Sequence, residues 1–291
     1  MNKPVPLYFN PDAGSTEKAL APFKDDPRIK MEAAPPETLT AIIKDAVKQR
    51  EKRVLISGGD GTIALAASIL AGTGTELAIL PAGTLNHFAQ RIGLPVSAAE
   101  ALEVALHGEA HSVDVGYVND QLFINTSSVG AYPVFVRSRK YLQNRMHYLP
   151  ASIIAGIRRL LNFRRIRIRI QDNTVKTPLV FVGVGERSLR FPTLGQVKEN
   201  GEKGLHFITV DCSNSIEAFI LVVKSFFFGV DPMQQETRVH NQLVDDIELT
   251  FRRSGKRVHV AVDGELFWFH APLHYRFAPE EIKVAMPNDQ S

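Results

Sequence analysis

Short apolar runs alternate with longer amphipathic segments along the first part of the chain. The runs at residues 6–10, 54–57 and 77–80 have the length and apolar content of buried strands, and the segments at 36–51, 63–71, 85–92 and 97–107 have helical spacing. Strands and helices that alternate in this way form a parallel sheet covered by helices. We therefore predict a parallel α/β domain over this part of the chain.

The pattern changes after residue 116. Strand-like runs then follow one another closely, at residues 121–127, 166–171, 179–184, 205–210, 244–251, 258–262 and 266–269. Helices are expected at about 150–162 and 215–228. Because strands in close succession usually pair antiparallel, residues 117–272 are predicted to form a mostly antiparallel β-sandwich. The chain is thus predicted to contain two domains, 1–116 and 117–272.

Composition agrees with a globular protein of two domains. The chain has 291 residues, of which 44% are hydrophobic and 22% are charged, and its formal net charge is +3. So small a net charge gives no general attraction to nucleic acid. The single cysteine, Cys212, excludes an intrachain disulfide and suits a reducing compartment. Neither a signal peptide nor a run of about 20 apolar residues is visible, so we expect a cytoplasmic protein.

A glycine-rich turn follows the predicted strand at 54–57. It reads Gly58-Gly59-Asp60-Gly61-Thr62 and leads into a helix. Backbone amides at a helix start bind anions, and glycines let a phosphate approach the main chain. A carboxylate beside a polyphosphate needs a cation such as Mg²⁺ between them, or takes a proton from the reacting group. The turn predicts phosphoryl transfer; a tight turn capped by Asp60 or Thr62 is the alternative.

Two further loops follow predicted strands in the same way. One reads Pro81-Ala82-Gly83-Thr84-Leu85-Asn86-His87-Phe88-Ala89, and the other reads Asn10-Pro11-Asp12-Ala13-Gly14-Ser15. In an open parallel sheet all three loops lie at the carboxyl edge of the strands, where ligands bind. We expect the three loops to converge on one nucleotide.

These motifs, in this order, resemble those of the diacylglycerol kinase catalytic domain family, which includes bacterial lipid kinases and is related to sphingosine kinases and NAD kinases. The resemblance implies an N-terminal Rossmann-like parallel α/β domain, completed by residues 273–291, and a C-terminal β-sandwich that binds the substrate. It also implies an ATP-dependent kinase with Mg²⁺ that phosphorylates a lipid hydroxyl. The residues expected at the nucleotide are Asn10, Gly14, Gly58, Gly59, Asp60, Gly61, Thr62, Gly83, Thr84 and Asn86.

Two carboxylates are candidates for catalysis. Asp263 lies between two predicted strands, where Asp-Gly is typical of a hairpin turn. The resemblance implies a second reading, in which the motif Asp263-Gly264-Glu265 supplies the base that takes the proton of the lipid hydroxyl. Asp60 would then organise Mg²⁺ and the phosphates, with Asp114 as a further metal ligand. The roles of Asp60 and Asp263 are interchangeable at this point.

The chain departs from the family pattern at one metal position. His87 stands where the family has an acidic residue after the motif asparagine, so the Mg²⁺ site is expected to depend on Asp60 and Asp114. The sequence Lys203-Gly204-Leu205-His206 replaces an acidic pair that holds a structural metal in some members, and we do not predict that metal here.

Three functions stay open. They are a lipid kinase, a kinase of a soluble polyol or dinucleotide, and a nucleotide-binding regulator without turnover. For a lipid kinase we expect peripheral contact at the inner membrane face, through the apolar segment 216–228 or the strand 164–170 with Arg165, Arg167 and Arg169; a buried helix and a solvated strand are the alternatives. Whether the protein is a homo-oligomer is also open.

Overall fold

The structure, a computed structural model, divides into two compact units. It describes residues 4–11, 16–130, 165–170, 173–188, 197–198, 201–212, 214, 217, 239–251, 255 and 257–288. The first unit comprises residues 1–115 with 278–291, and the second comprises residues 116–277. The predicted helix at 150–162 and most of that at 215–228 lie outside the described residues.

The first unit alternates strands with helices. In chain order its elements are β1 (Val5–Phe9), α1 (Thr16–Leu20), a 3-10 turn (Ala21–Phe23), β2 (Ile29–Ala33), α2 (Pro36–Lys48), β3 (Arg53–Gly58), α3 (Asp60–Leu70), β4 (Glu76–Pro81), α4 (His87–Arg91), α5 (Ala98–His107) and the first part of β5 (Glu109–Val118). The last part of β16 (Leu273–Met286) also belongs here.

The sheet of the first unit is parallel. Its order is β2-β1-β3-β4-β16, and each of these neighbouring pairs is parallel. Five of the six residues of β3 are buried, so both faces of this strand are covered, as expected of a parallel sheet between helices. The predicted α/β fold is confirmed. Parallel pairing also brings the carboxyl ends of β1, β3 and β4 to one edge.

One core cluster lies on the face of this sheet against α5. Leu55 and Leu80 of the sheet pack there with Leu102 of α5. Ala285, near the end of β16, belongs to the same cluster. Helix α3 packs against β3, β4 and α2. Its residues Ile63, Ala66 and Leu70 are buried.

The second unit is built from antiparallel pairs. Its strands are the end of β5, β6 (Gln121–Phe123), β7 (Thr126–Gly130), β8 (Ile166–Ile170), β9 (Asn173–Thr177), β10 (Leu179–Val184), β11 (Leu205–Val210), β12 (Val239–Val244), β13 (Asp246–Phe251), β14 (Arg257–Val262), β15 (Glu265–His270) and the start of β16. One sheet has the order β12-β11-β10-β7-β14-β15, and β9-β8-β13-β16 lie side by side in the other.

A single core cluster draws residues from both sheets of the second unit. Val182 and Val260 come from the first of these sheets, and Ile168, Leu249 and Tyr275 come from the other. The predicted antiparallel sandwich is therefore confirmed. Within the described residues, no helix has the length and hydropathy needed to cross a bilayer.

Several elements differ from the predictions. Strand β2 and the hairpin partner β9 were not predicted, because both carry polar residues at alternate positions and lack long apolar runs. The strand predicted at 244–251 begins earlier and is two strands that flank Asp245. The strand predicted at 121–127 is also two strands, interrupted at Ile124 and Asn125. The cause of that second interruption lies in the turn at Asp263.

Candidate functional site

The glycine-rich turn is the N-terminus of α3. Helix α3 begins at Asp60, three residues before the predicted start, and Gly59 is its N-cap. No side chain caps this end. The first backbone N–H groups of the helix therefore lack a side-chain acceptor. An anion placed there would accept hydrogen bonds from the main chain and would be favoured by the helix dipole.

The second loop is held by its own asparagine. The Gly83 N–H donates to Asn86 Oδ1 at 2.8 Å, and Asn86 Nδ2 donates back to the Gly83 carbonyl oxygen at 2.9 Å. Asn86 has left-handed backbone angles, with φ 49° and ψ 44°, and its carbonyl accepts the Gln90 N–H at 3.0 Å. Asparagine tolerates this conformation better than most residues. The side chain of Asn86 therefore fixes the shape of the loop.

The two loops touch through their glycines. A Cβ added to Gly83 would lie 2.6 Å from the Cα of Gly59, and one added to Gly59 would lie 3.2 Å from the Cα of Gly83. A Cβ at Gly58 would lie 2.6 Å from the Cβ of Thr62. A Cβ at Gly61, in contrast, would have no atom within 4 Å. Packing thus requires glycine at Gly58 and Gly83 and leaves little room for a Cβ at Gly59, and of these four glycines only Gly61 faces open space.

Asp60 links the two loops. Its Oδ1 accepts the Phe88 N–H at 3.0 Å, which ties the start of α3 to the start of α4. Its second oxygen makes no hydrogen bond with the residues that the structure describes. Asp60 is partly exposed, and Thr84 of the second loop is exposed. One carboxylate oxygen therefore remains available beside an uncapped helix terminus.

The other residues predicted to bind nucleotide or metal do not all lie at this sheet edge. Phe9 pairs with Ser57, so Asn10 follows β1 at the same sheet edge as Gly58. Gly14 lies outside the described residues. Asp114 is a strand residue whose Oδ1 accepts the Glu280 N–H at 2.9 Å, so it holds β16 beside β5. His87 begins α4 and is exposed.

A metal ion at this site would need ligands from the substrate in addition to those from the protein. Among the described residues no three His, Cys, Asp or Glu side chains form a cluster able to hold a metal ion. Mg²⁺ is commonly held by one or two carboxylates together with substrate phosphates and water. The available oxygen of Asp60 suits that arrangement, whereas a pre-formed protein cage is not found in this part of the chain. Asp114 as a second ligand stays a prediction.

Asp263 occupies a hairpin turn in the second unit. Strands β14 and β15 pair up to Val262 and Glu265, which leaves Asp263 and Gly264 as a two-residue turn. Both turn residues have positive φ, 46° and 84°. These values are typical of the type I′ turn that suits tight hairpins. The hairpin reading of this motif is therefore correct at the level of the backbone.

The side chain of Asp263 also binds three backbone amides of another segment. Its Oδ2 accepts the Ile124 N–H at 2.7 Å, and its Oδ1 accepts the Asn125 and Thr126 N–H groups at 2.8 and 2.9 Å. The Asp263 N–H donates to the Thr126 carbonyl oxygen at 2.8 Å. These bonds explain the break between β6 and β7, since the backbone N–H groups of residues 124–126 donate to the Asp263 carboxylate.

The opposite side of this segment is held by Arg187. Its Nη2 donates to the Asn125 and Val184 carbonyl oxygens at 2.7 and 3.1 Å, and the side chain is buried. Burial lowers the pKa of Arg187 to about 10, while the charge of Asp263 opposes that shift. The Arg187 N–H donates to His206 Nδ1 at 2.8 Å. Asp263 and Arg187 together clamp the main chain at Asn125, a residue that sequence reasoning did not assign to the site.

The comparisons with known proteins agree with this picture. Residues 7–118 match the family model described as the diacylglycerol kinase catalytic domain. An uncharacterized protein of Synechocystis sp. is 25% identical over 98% of this chain and 70% of its own length. A "Probable lipid kinase YegS-like" of Chromohalobacter salexigens is 32% identical over 50% of this chain and 48% of its own length.

A second protein of that name, from Klebsiella pneumoniae, is 40% identical over 30% of this chain and 31% of its own length. The chain therefore matches less than half of the length of these two named relatives. Among solved structures, a diacylglycerol kinase of Bacillus anthracis has 20% identity and a TM-score of 0.63, and the match covers 99% of this chain and 97% of that one. At this identity the likeness concerns the fold. The resemblance to the diacylglycerol kinase catalytic domain family is thus confirmed, with residues 7–118 as the part that matches its model.

Proposed function

We propose that the protein is an ATP-dependent kinase that transfers the γ-phosphate to a lipid hydroxyl. The observation that carries the proposal is the position of Asp60, with one oxygen available at the uncapped start of α3. Kinases work largely by positioning the phosphates and stabilising their charge. The uncapped start of a helix with a carboxylate beside it can do both. The match to the lipid kinase family supports the acceptor class.

The phosphates of ATP are assigned to the edge formed by the two glycine loops. The first amides of α3 would donate to them, and Gly61 leaves the space that they need. Asp60 and the phosphates would hold Mg²⁺, which neutralises charge that develops during transfer. Asn86 keeps the second loop in shape through its two hydrogen bonds with Gly83.

The acceptor is assigned to the second unit, where Asp263 lies. Its carboxylate already accepts three amide hydrogen bonds, and each such bond stabilises the anion and weakens it as a proton acceptor. A carboxylate has room for about four such contacts. Asp263 as the base therefore stays a prediction, and its structural role at 124–126 must be separated from it by experiment.

Contact with an anionic membrane surface is part of the proposal. Arg167 and Arg169 of β8 are exposed and point to the same face of the sheet as Lys176 of β9. None of these three cations has an ion-pair partner in the described chain. Such a face would attract anionic lipid, where the substrate is found. The cytoplasmic location at the inner membrane face, and the oligomeric state, stay predictions.

The proposal is tested with Asp60→Asn. Asparagine keeps an Oδ1 that can accept the Phe88 N–H, so the fold should stay near wild type while the negative charge is lost. We expect Mg²⁺-dependent ADP release with diacylglycerol in mixed micelles to fall by about two orders of magnitude or more. Melting temperature and ADP release are measured on both proteins.

Two outcomes would contradict the proposal. A variant that keeps its activity would remove Asp60 from the site. Wild-type protein that releases ADP with a soluble polyol or NAD but not with lipid would favour the soluble-substrate kinase, and wild-type protein that binds ATP without any release would favour a regulator.

A further inference from the structure

Strand β15 ends the six-stranded sheet of the second unit. Among the described strands it pairs only with β14, and its residues are Glu265-Leu266-Phe267-Trp268-Phe269-His270. Edge strands of soluble proteins usually carry a lysine, a proline or an inward-pointing charge that prevents pairing with other chains. Residues 266–269 are all apolar, and neither a proline nor a charge interrupts them. This edge therefore lacks the usual protection.

The other two strands that end a sheet order in the second unit are more polar. Strand β9 contains Lys176, and β12 contains His240, Asn241 and Gln242. If another strand paired there, some of these polar side chains would lose contact with water, which costs free energy. Of these three strands, β15 alone presents an uninterrupted apolar run of four residues.

The main-chain groups of alternate residues of β15 point away from β14. Val262 and Glu265 flank the two-residue turn and are the pair that such a turn closes with hydrogen bonds. Because the direction of N–H and C=O alternates along an antiparallel strand, every second residue of β15 directs these groups to the open edge: Leu266, Trp268 and His270. The Asp263 N–H donates to the Thr126 carbonyl oxygen on the other side of β14, which agrees with this alternation.

Aromatic side chains extend from both faces of β15. Phe267 and Phe269 are half-buried beside the core of the second unit, with 6.2 Å between their ring centroids. Trp268 projects to the other face and is 53% exposed. Its ring stacks on His259 with centroids 3.7 Å apart, and the guanidinium carbon of Arg257 is 5.1 Å from its centroid. These contacts orient an exposed indole, a group that is enriched at the centre of protein interfaces.

We propose that β15 binds β15 of a second copy of this chain, antiparallel and about a two-fold axis. The outward-pointing residues are centred on Trp268, so Trp268 lies opposite its own copy and Leu266 lies opposite His270 of the partner subunit. This register gives about six backbone hydrogen bonds. It also sets Phe267 opposite Phe269 of the partner subunit, a favourable aromatic cross-strand pair. No like charges face each other, so the strand is its own complement, as a two-fold interface requires.

The pairing would place two copies of one basic face on the same side of the dimer. Opposite residues of an antiparallel pair project to the same side of the sheet, so the two-fold axis is perpendicular to the sheet. The outer face of β8 and β9, with Arg167, Arg169 and Lys176, then points the same way in both subunits. Two linked faces bind one anionic surface more tightly than a single face does. This consequence rests on the membrane contact proposed above, whereas the pairing itself does not.

The oligomeric state is measured by analytical ultracentrifugation of the full chain. Wild-type protein is expected to form a dimer, and Trp268→Glu is expected to raise the dimer Kd about a hundredfold or more, because two carboxylates then face each other across the axis. Within one chain the new carboxylate would lie beside Arg257, so the melting temperature should stay near wild type. Val96→Glu, at a 99% exposed apolar residue of the first unit, is the control and should change neither quantity.

Cysteine crosslinking tests the register. In the proposed pair the two residues at position 268 are about 5.5 Å apart at Cα, within the range for a disulfide. The two residues at position 266 are about 13 Å apart, which is too far. Trp268→Cys should therefore form a disulfide-linked dimer under mild oxidation, and Leu266→Cys should not. The native Cys212 is buried and does not compete.

A wild-type protein that stays monomeric, a wild-type dimer that Trp268→Glu does not weaken, or crosslinking of Leu266→Cys in place of Trp268→Cys would overturn the inference. Trp268 is the single tryptophan of the chain, so its fluorescence reports on this edge alone. A monomer whose emission shifts to the blue with phosphatidylglycerol vesicles would assign the edge to the membrane instead.

Vesicle binding separates the pairing from the membrane contact. Wild-type dimers should bind phosphatidylglycerol vesicles about tenfold or more tightly than the Trp268→Glu monomer, and Val96→Glu controls for the added charge. Dimers that bind no vesicles would support the pairing and overturn only the membrane contact.

Discussion

At the scale of single residues, the glycines of the first turn have two different uses. Gly59 and Gly83 allow two backbones to meet, whereas Gly61 has open space where a Cβ would lie. Substituting Gly59 would disturb the packing of the loops and would not report on a ligand. Gly61 is therefore the position at which a phosphate can be tested.

We expect Gly61→Ala to raise the Kd for ATP about tenfold while the melting temperature stays the same or rises. The loss of affinity follows from a methyl group where the phosphates approach, and the stability from the better helix propensity of alanine, about 0.5–1 kcal/mol. Titration of a fluorescent ATP analogue gives the Kd. Gly59→Ala is the contrast and should lower the melting temperature. Unaltered ATP affinity in Gly61→Ala would place the phosphates elsewhere.

Asp263 carries a second residue-scale prediction. A pure turn role would make Asp263→Asn harmless, because asparagine suits a type I′ turn equally well. The three amides bonded to the carboxylate change that expectation, since an asparagine NH₂ cannot accept a hydrogen bond. At least one amide would be left unsatisfied, at a cost of about 1–3 kcal/mol.

Asp263→Asn is therefore expected to lower the melting temperature by several degrees, at about 2–4 °C per kcal/mol for a unit of this size, and to lower kcat as well. Thermal unfolding and kcat are measured together. Glu265→Gln, a change at the next carboxylate of the motif, is the control for the loss of charge. A variant with low kcat and wild-type stability would assign Asp263 to proton transfer alone.

At the scale of elements, the hairpin β8–β9 has an unfavourable arrangement of charge. Arg167 lies directly opposite Lys176, and like charges in that position destabilise a sheet. A lysine on an edge strand protects it from pairing with other chains, but this does not account for the two arginines of β8. The nearby carboxylate of Glu248 is 3.2 Å from His274 Nε2 and does not neutralise them.

We expect replacement of Arg167, Arg169 and Lys176 by glutamine to weaken binding to vesicles that contain phosphatidylglycerol by about a hundredfold, at about 1 kcal/mol for each basic residue. Co-sedimentation with these vesicles and with phosphatidylcholine vesicles measures the effect. The same change at the exposed Lys24, Lys44 and Lys48 of the first unit is the control. Equal binding by the two triple variants would show that this face has no special role.

The link between β11 and Arg187 predicts a dependence on pH. Burial lowers the pKa of His206 below its ordinary 6.5, although Asn241 and Glu186 oppose the shift, and its Nδ1 accepts the Arg187 N–H. Protonation at Nδ1 would remove that acceptor. Stability should thus be constant above pH 6.5 and fall as the pH drops below it, because the unfolded chain takes the proton first.

Melting temperatures of wild type and His206→Gln between about pH 5 and pH 8 test this, since the window follows from the ordinary histidine pKa. The wild type is expected to lose stability on the acid side more steeply than the variant. Equal slopes for the two proteins would assign the pH dependence to other groups, and the neighbouring charges to consider are then Glu186, Lys198 and Arg187.

At the scale of the whole molecule, the fold class could be read from the sequence because hydrophobic periodicity reflects burial directly. The alternation of β1, α2, β3, α3 and β4 could be predicted from this periodicity, and the glycine turn could be predicted from its residue types. Strand β2 was missed because the charged residues Lys30 and Glu32 interrupt its apolar positions and it lies at the edge of the sheet. The clamp at Asn125 could not be predicted, since it joins residues 138 and 62 positions apart whose pairing depends on the finished sheet.

Strand β16 contributes its first residues to the second unit and its last residues to the first unit. This sharing determines which unit can complete its fold first while the chain is made on the ribosome. Its last part pairs with β4, and Ala285 fills the core beside α5. The first unit begins the chain but keeps an open strand edge at β4 until residue 286 has been made. The second unit has all of its strands by residue 277. Although domains generally fold N-terminal first during synthesis, here the first unit would reach its native state last. While the second unit is being translated, the nascent first unit would expose the edge of β4 to chaperones.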